Sequence, residues 1–198
     1  MPRSGTAARQ RLQQAAVELF GERGFDQTTT AEIAARANVT ERTFFRHFSD
    51  KREVLFDGQI VLREALTHAV EAAPVVLRPM EILYWAFCSV EQILEDNRVF
   101  SVPRQQVINR SPALQERELA KEAALAQALA VALRQRGVEG RLAALASQTG
   151  MATFQYAVAS WFADSAGGLN AHLNRAFREL DTLCCLNSID GLPPHLRR

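Results

Sequence analysis

The chain has 198 residues, of which 47% are hydrophobic and 23% are charged. This composition is typical of a folded globular protein of one or two domains and excludes a disordered chain. No stretch of about 18 uninterrupted apolar residues occurs, so the sequence predicts no membrane-spanning helix. The net charge of +1 by itself indicates nothing about nucleic-acid binding.

The charge is unevenly distributed along the chain. Residues 1–52 hold nine Lys/Arg and six Asp/Glu, whereas residues 53–198 hold fourteen and sixteen. A small basic N-terminal segment on a slightly acidic remainder fits a nucleic-acid-binding module attached to a domain with another task. The asymmetry is modest, so it supports a binding motif but could not replace one.

Sequence signals for several other classes of protein are missing. The N-terminal residues MPRSGTAARQ lack the apolar core of a signal peptide, and three cysteines, two of them adjacent, make a poor disulfide framework. We therefore expect a cytoplasmic protein. The common cofactor, hydrolase and P-loop signatures are absent, and no histidine has a second His or Cys at metal-ligand spacing. The sequence thus predicts no enzymatic activity, no cofactor and no metal site.

The first predicted element is an amphipathic helix from about Ala7 to Arg23. Its apolar residues recur at steps of three and one, which is the spacing of a helix packed against a core. Gly24 follows as a residue suited to ending the helix. The apolar stripe consists of Leu12, Ala15, Ala16, Leu19 and Phe20.

The next stretch predicts two short helices joined by a tight turn. Thr29 and Glu32 have the spacing of a capping box, which marks the start of a helix. Asn38 stands where the chain must turn, and Asn tolerates the left-handed conformation. Thr40 is a favourable N-cap for a second helix over about 41–48. Two helices in this arrangement form a helix-turn-helix, whose second helix enters the major groove of DNA.

The segment from Arg11 to Phe56 resembles the N-terminal DNA-binding domain of the TetR family of bacterial transcriptional regulators. The resemblance rests on AAVELFGERGF, the threonines before the next helix, EIAARANV, TERTFFRHF and SDK, in that order. It covers roughly a quarter of the chain. It implies an all-α protein, in which an N-terminal three-helix helix-turn-helix domain precedes a helical domain that binds an effector and dimerises.

The helical period divides the second short helix into two faces. Phe44 and Phe48 are four residues apart and are expected to face the core. The resemblance implies DNA contacts from the outward face and from the lysine that opens the following helix. The predicted DNA-binding residues are Thr29, Thr30, Thr40, Glu41, Arg42, Thr43, Phe45, Arg46, His47 and Lys51.

Two residues of this segment depart from the pattern of the family. Phe45 stands where the family usually has a tyrosine, so a hydroxyl contact to phosphate is missing. Arg42 stands where a glycine is common, and an arginine can pair with guanine O6/N7 or with a phosphate. The alternative is that these charges only solvate the helix.

A further Asp-x-x-Glu pattern at Asp50 predicts a helix that continues to about Ala73, where Pro74 ends it. Because this helix extends well beyond the helix-turn-helix, we expect it to join two domains. Residues 1–56 are then the DNA-binding domain, and residues 57–198 are the effector-binding and dimerisation domain.

The second domain is predicted to be helical, because no segment shows the sustained two-residue alternation of a strand. Helices are expected at about 79–96, 99–109, 112–136, 139–165 and 168–187. The last two carry more apolar surface than one covering layer needs, and the resemblance implies that they pair with their copies in a homodimer. The alternative is that they only close the monomer's own core. The predicted dimerisation residues are Leu142, Leu145, Tyr156, Leu169, Leu173, Phe177 and Leu180.

A ligand pocket is expected in the same domain, where aromatic and amphipathic residues cluster near polar side chains. Such residues are core residues more often than pocket walls, which is the alternative here. The apolar composition favours an apolar or amphipathic effector. The predicted pocket residues are Tyr84, Trp85, Cys88, Gln105, Asn109, Phe154, Tyr156 and Trp161.

Two functions remain open from the sequence. The first is a ligand-responsive transcriptional regulator that binds a near-palindromic double-stranded DNA operator as a homodimer. The resemblance favours a repressor, which a small-molecule effector releases from the operator. The second is a binding protein of the same fold that lacks sequence-specific DNA binding. The outward set of charged and polar residues favours the first, and the missing hydroxyl at Phe45 favours the second.

Overall fold

The structure is a computed structural model that describes residues 3–164 and 166–184. The regular structure of these residues is helical throughout, which confirms the predicted all-α class. None of the described helices combines the length and the apolar character needed to cross a membrane. Residues 185–198 of the predicted second domain lie outside the described residues. The helices are α1 (Arg3–Arg23), α2 (Thr30–Arg36), α3 (Glu41–His47), α4 (Gln59–Ala72), α5 (Pro79–Ser89), α6 (Glu91–Asp96), α7 (Arg98–Ile108), α8 (Pro112–Gln135), α9 (Gly140–Ala163) and α10 (Gly168–Cys184).

The chain folds around two hydrophobic cores, one in the head (residues 3–56) and one in the body (residues 57–184). In the body, α4, α5, α8, α9 and α10 all contribute buried residues to one cluster. The centre of this cluster includes Phe87 of α5, which stacks on Phe154 of α9 with ring centroids 4.5 Å apart.

The head core is completed by residues from far along the chain. Val107 and Ile108 of α7 and Leu114 of α8 are buried in the same cluster as Leu12 and Phe44. These three residues belong by sequence to the predicted second domain. The head therefore depends on the body for part of its core.

The helix-turn-helix of α2 and α3 forms through the local signals that the sequence contains. Thr29 and Glu32 make both hydrogen bonds of a capping box at the start of α2. Asn38 adopts φ 54°, the left-handed conformation that the turn requires. The Thr40 hydroxyl accepts from the Thr43 N–H at 3.2 Å and caps α3.

The predicted helix from Asp50 to Ala73 is wrong at its start. The Asp50 carboxylate accepts from the backbone N–H groups of Arg52 and Glu53 at 2.7 and 3.1 Å, but these bonds begin only a 3₁₀ turn over Glu53–Leu55. α4 begins at Gln59. Between them, Phe56 is buried in the head core and the Asp57 carboxylate accepts from the Arg9 guanidinium. These tertiary contacts hold the chain in a turn where the local pattern indicates a helix.

The predicted helix over 79–96 is also divided, because α5 ends at Ser89 and α6 begins at Glu91. The break turns two glutamates of α6 towards the first turn of α10. The Glu95 carboxylate accepts from the Leu169 N–H at 2.8 Å, and the Glu91 carboxylate accepts from the Asn170 N–H at 3.1 Å. Carboxylates are favourable at the N-terminus of a helix, where backbone N–H groups lack partners.

Candidate DNA-binding surface and its connection to the body

The second helix of the helix-turn-helix, α3, is fixed from behind by aromatic residues. Phe44 is fully buried in the head core, and its ring lies 5.5 Å from the ring of Phe48. The guanidinium of Arg9 lies over the Phe48 ring at 5.4 Å from the centroid. Because the inner face of α3 is anchored in this way, the orientation of its outer face is set by the head core.

The outer face of α3 forms the reading surface, which consists of Glu41, Arg42, Phe45 and Arg46. All four side chains are exposed. Within residues 3–164 and 166–184, the side chains of Arg42 and Arg46 form no ion pair and no hydrogen bond. Two free guanidinium groups on a short exposed helix can pair with guanine edges or with phosphates.

The predicted threonines order this region through their own contacts. The Thr29 hydroxyl lies 2.9 Å from the Glu32 carboxylate, and the Thr30 hydroxyl donates to the Glu41 carboxylate. The hydroxyl groups of Thr40 and Thr43 lie 3.0 Å apart. The bond between Thr30 and Glu41 joins α2 to α3 at the edge of the reading surface, and the other two contacts order the start of each helix.

The sequence predicts that His47 faces outward, but in the structure His47 is half-buried. It lies under the start of α1, where a Cβ placed on Gly5 would be 4.0 Å from His47 Cε1. Burial lowers the pKa of His47, and the positive charges of Arg46 and Arg9 lower it further, whereas Asp57 opposes them. The ring therefore favours its neutral form and supports the end of α3.

Lys51 is bound within the head. Its ammonium group donates to the backbone carbonyls of Phe25 and Thr28 at 2.7 and 2.8 Å, and it lies 4.1 Å from the centroid of the Phe25 ring. Burial lowers the pKa of Lys51. The two carbonyls occupy two of the three N–H donors, so Lys51 ties the loop between α1 and α2 to the segment after α3.

Comparison with known proteins agrees with this geometry. The family model described as "Bacterial regulatory proteins, tetR family" matches residues 12–57, which contain the helix-turn-helix. The head of the chain thus belongs to the TetR family. It is 32% identical over 112 residues to the HTH-type transcriptional regulator TcmR of Streptomyces glaucescens, which is 54% of this chain and 50% of TcmR. The chain spans about half the length of the curated relatives that it matches.

Solved structures of TetR regulators share the fold across the body as well. FadR of Thermus thermophilus, a transcriptional repressor in complex with lauroyl-CoA, is 25% identical with a TM-score of 0.54, covering 93% of this chain and 98% of FadR. FadR of Bacillus subtilis, in complex with stearoyl-CoA, is 19% identical with a TM-score of 0.60, covering 86% and 96%. At 19% identity, the similarity to FadR of Bacillus subtilis shows only a shared fold.

The TetR-family head meets the body at a surface of paired charges, which we call the seam. The seam comprises Glu53, Leu55 and Phe56 of the head with Arg104 of α7 and Arg117, Glu118 and Lys121 of α8. The Glu53 carboxylate accepts from Arg117 at 2.6 Å and from Lys121 at 3.0 Å. This carboxylate therefore fastens the segment after α3 to the long helix α8.

Arg104 is the most enclosed charge of the seam, with a side chain that is 14% exposed. Its guanidinium donates to the Leu55 carbonyl at 2.6 Å, lies 4.9 Å from the centroid of the Phe56 ring and lies 3.4 Å from the Glu118 carboxylate. Burial lowers the pKa of Arg104, and the negative charge of Glu118 opposes this effect. One side chain thus connects the head, α7 and α8.

The amino-acid sequence alone does not predict the seam. Arg104 and Leu55 are separated by 49 residues, and Glu53 and Arg117 by 64 residues. When its partner is so distant in sequence, a charged residue on an amphipathic helix is predicted to be exposed to solvent. No local pattern in one sequence could identify these pairs.

The predicted pocket residues are divided between the core, the seam and the surface. Phe154 and Trp161 are buried in the body core, as in the alternative interpretation, and the Arg98 guanidinium lies over the Trp161 ring. Trp85 and Tyr156 are exposed large hydrophobic residues, so they do not line an enclosed pocket.

The polar residues predicted for the pocket lie beside the seam. The Gln105 amide donates to the Glu118 carboxylate at 2.9 Å and to the Asn109 side chain at 3.2 Å. Burial raises the pKa of the nearby Glu122, and the charge of Glu118 raises it further. These contacts place Gln105 and Asn109 next to the residues that fasten the head to the body.

The outer face of α10 contains a shallow groove of about 350 Å³. It is lined by six residues of this helix, and the predicted pocket residues are not among them. Tyr84 lies at the edge of the groove, since the Asn174 amide donates to the Tyr84 hydroxyl at 3.2 Å. Cys88 lies one turn further along α5 and is half-buried. The groove residues are Ala171, Asn174, Arg175, Arg178, Glu179 and Thr182.

The predicted dimerisation residues are wrong in part. Leu169 and Leu173 are fully buried in the body core of the monomer and cannot face a partner. Phe177 and Leu180 are half-buried, and the Phe177 ring packs 5.1 Å from the ring of Tyr84. By contrast, Leu142, Leu145 and Tyr156 of α9 are 49, 63 and 57% exposed. The helical period of α10 predicts an apolar face, but it does not tell whether that face packs against the protein's own core or against a partner.

Proposed function

We propose that this TetR-family protein is a ligand-responsive transcriptional repressor that binds a near-palindromic operator as a homodimer in the cytoplasm. The main support for this proposal is the reading surface. Arg42 and Arg46 are exposed and free of intramolecular pairing in the described part of the chain, whereas Arg9, Arg23 and Arg36 of the head are paired with carboxylates. A protein that leaves two cations free on a rigidly held helix-turn-helix is suited to binding DNA.

An exposed stripe along α9 supports the homodimer. Its residues recur at alternating steps of three and four, which is the spacing of the contact residues in helices that pair along their length. Except for the half-buried Thr149, every residue of the stripe is exposed in the monomer. A dimer would place two recognition helices on successive turns of the major groove, because one short helix reads few base pairs. The stripe consists of Leu142, Leu145, Thr149, Ala152, Tyr156, Ala159 and Ala163.

The effector we propose is apolar or amphipathic. The Thermus thermophilus FadR structure supports this class, because that repressor is bound to lauroyl-CoA, an amphipathic molecule. A ligand that enters the body near Gln105 would act beside Arg104, whose contacts reach the Leu55 carbonyl in the head. Binding would favour an arrangement of the seam in which the two heads no longer match the operator.

A mobility shift tests the DNA-binding proposal. The probes are DNA from upstream of the protein's own gene and a random-sequence competitor, each across a salt series. We expect a salt-sensitive complex that the upstream fragment retains over competitor. Arg42→Ala combined with Arg46→Ala should weaken binding at least tenfold and reduce the dependence on salt, because each lost phosphate contact lowers the slope by about 1.

The matched control is Arg134→Ala, because Arg134 is an exposed arginine of α8 far from the head in sequence. This variant should bind as the unaltered protein does. Binding that is equally weak in the control would indicate a general effect of net charge. Absence of binding to any DNA at low salt would contradict the proposal and favour a binding protein without DNA recognition.

A further inference from the structure

The reading surface contains one large apolar side chain, that of Phe45. This side chain is 53% exposed, although it lies beside Arg42 and Arg46 on the face that we propose contacts DNA. Phe45 follows Arg42 by three residues, so the two side chains are neighbours on the same face of α3. The ring is therefore placed to reach the same region of the groove as the free guanidinium group.

The position of the Phe45 ring is fixed by the head core. It packs edge-on against the ring of Phe44, with centroids 5.4 Å apart and an angle of 81° between the planes. Phe44 is fully buried, so it gives the exposed ring a rigid support. A supported ring contacts a partner at little cost in conformational entropy.

The chemistry of a phenyl ring limits what Phe45 can recognise. The ring has no hydroxyl group, so it cannot donate a hydrogen bond to a phosphate or to a base. Against the edge of a base pair, it interacts mainly by excluding water from another apolar group. The C5 methyl of thymine is the apolar group that base pairs present in the major groove.

We propose that Phe45 contacts a thymine methyl in each half-site and thereby specifies thymine at one position of the operator. This inference rests on the proposed DNA-binding function and adds a specificity that the charged residues do not supply. Loss of one buried methyl corresponds to about a fourfold loss of affinity, and symmetric loss from both half-sites to about fifteenfold.

The experiment begins with selection of bound sequences from random duplex DNA by the full-length protein. Each thymine of the selected duplex is then replaced by deoxyuridine, symmetrically in both half-sites, which removes only the methyl groups. Affinities are measured for the unaltered protein, for Phe45→Ala and for the control Arg134→Ala. Phe45→Gln is a second variant that lacks the ring, and thermal melting checks that all variants fold.

We expect one thymine position at which deoxyuridine weakens binding about fifteenfold for the unaltered protein and the control, but not for Phe45→Ala or Phe45→Gln. Equal sensitivity of all the proteins at every thymine would overturn the inference and leave the proposed function intact. The same holds if Phe45→Ala weakens binding uniformly, since the ring would then pack on the sugar–phosphate backbone. Failure to enrich any sequence would overturn the proposed function, and this inference with it.

Discussion

The reading surface and the seam use the same residue types in opposite ways. On the reading surface, Arg42 and Arg46 are exposed and, among the described residues, unpaired. In the seam, Arg104 is largely enclosed and lies against a carbonyl, a carboxylate and an aromatic ring. The free cations add little to the stability of the head, whereas the enclosed cation determines how the head sits on the body.

This difference separates two quantities that a mutation can change. Removing an exposed, unpaired charge usually alters stability by no more than about 0.5 kcal/mol, so its effect should appear in DNA affinity. Removing one partner of an enclosed pair leaves the other without compensation and destabilises the folded state. Substitutions in the reading surface should therefore change DNA affinity, and substitutions in the seam should change stability.

The largest expected effect is that of Arg104→Met. It leaves the Glu118 carboxylate and the Leu55 carbonyl without their arginine partner, and we expect the free energy of unfolding to fall by about 3 kcal/mol. Urea denaturation measures this change. Arg110→Ala, at an exposed arginine just after α7, is the matched control and should change stability by less than about 0.5 kcal/mol.

A gentler variant links the same residue to function. Arg104→Lys keeps the charge but loses the planar guanidinium, so the head should be held less firmly without unfolding. Its affinity for an operator with one extra base pair between half-sites should approach its affinity for the selected operator. An unchanged preference for half-site spacing would show that Arg104 stabilises the fold without positioning the head.

Arg42→Ala should have the next largest effect, on DNA binding only. If Arg42 reads a base, affinity should fall by about 1–3 kcal/mol and the preference at one base pair should relax. A uniform loss across sequences would instead identify a phosphate contact. Urea denaturation should show no change beyond about 0.5 kcal/mol, and a larger change would place Arg42 with the structural charges.

The two regions also differ in how far the sequence predicts them. The capping box of Thr29, the turn at Asn38 and the N-cap at Thr40 are local signals, and the structure contains all three. The seam depends on pairs such as Arg104 and Leu55, which approach each other only after the body has folded.

The wrong predictions have the same physical origin. Arg9 and Asp57, separated by 48 residues, hold the turn that interrupts the predicted helix from Asp50. Leu169 and Leu173 have the spacing of an apolar face, but the period does not tell whether that face meets its own core or a second copy. The same ambiguity left the pocket residues unresolved, because an aromatic side chain such as Trp161 fits a core as well as a pocket.

Glu53→Gln should have a smaller effect than Arg104→Met. The change removes the charge that pairs with Arg117 and Lys121, but these side chains are 37 and 22% exposed, so solvent weakens both pairs. We expect a loss of about 1 kcal/mol in urea denaturation. The difference in the free energy of unfolding between Glu53→Gln and the unaltered protein should shrink in 1 M salt. An undiminished difference would indicate that the substitution disturbs packing and not an ion pair.

The smallest expected effect concerns pH and His47. The folded state lowers the pKa of this ring from its usual 6.5, mainly through burial, so the unfolded chain binds the proton more readily. Stability therefore falls as the pH decreases below about 6.5 and levels off below the folded pKa. Other groups with shifted pKa values, such as Glu122 with its raised pKa, also make stability depend on pH. The measured quantity is therefore the difference between the unaltered protein and His47→Gln.

Urea denaturation at pH 7.5, 6.5 and 5.5 should show the unaltered protein losing stability relative to His47→Gln as the pH falls. Burial of the ring sets this sign, the charges of Arg46 and Arg9 reinforce it, and the charge of Asp57 opposes it. A gain in stability at low pH would mean that Asp57 dominates. A constant difference would show that the ring keeps its solution pKa, and His47 would then belong with the open groups of the reading surface instead of the groups that support it.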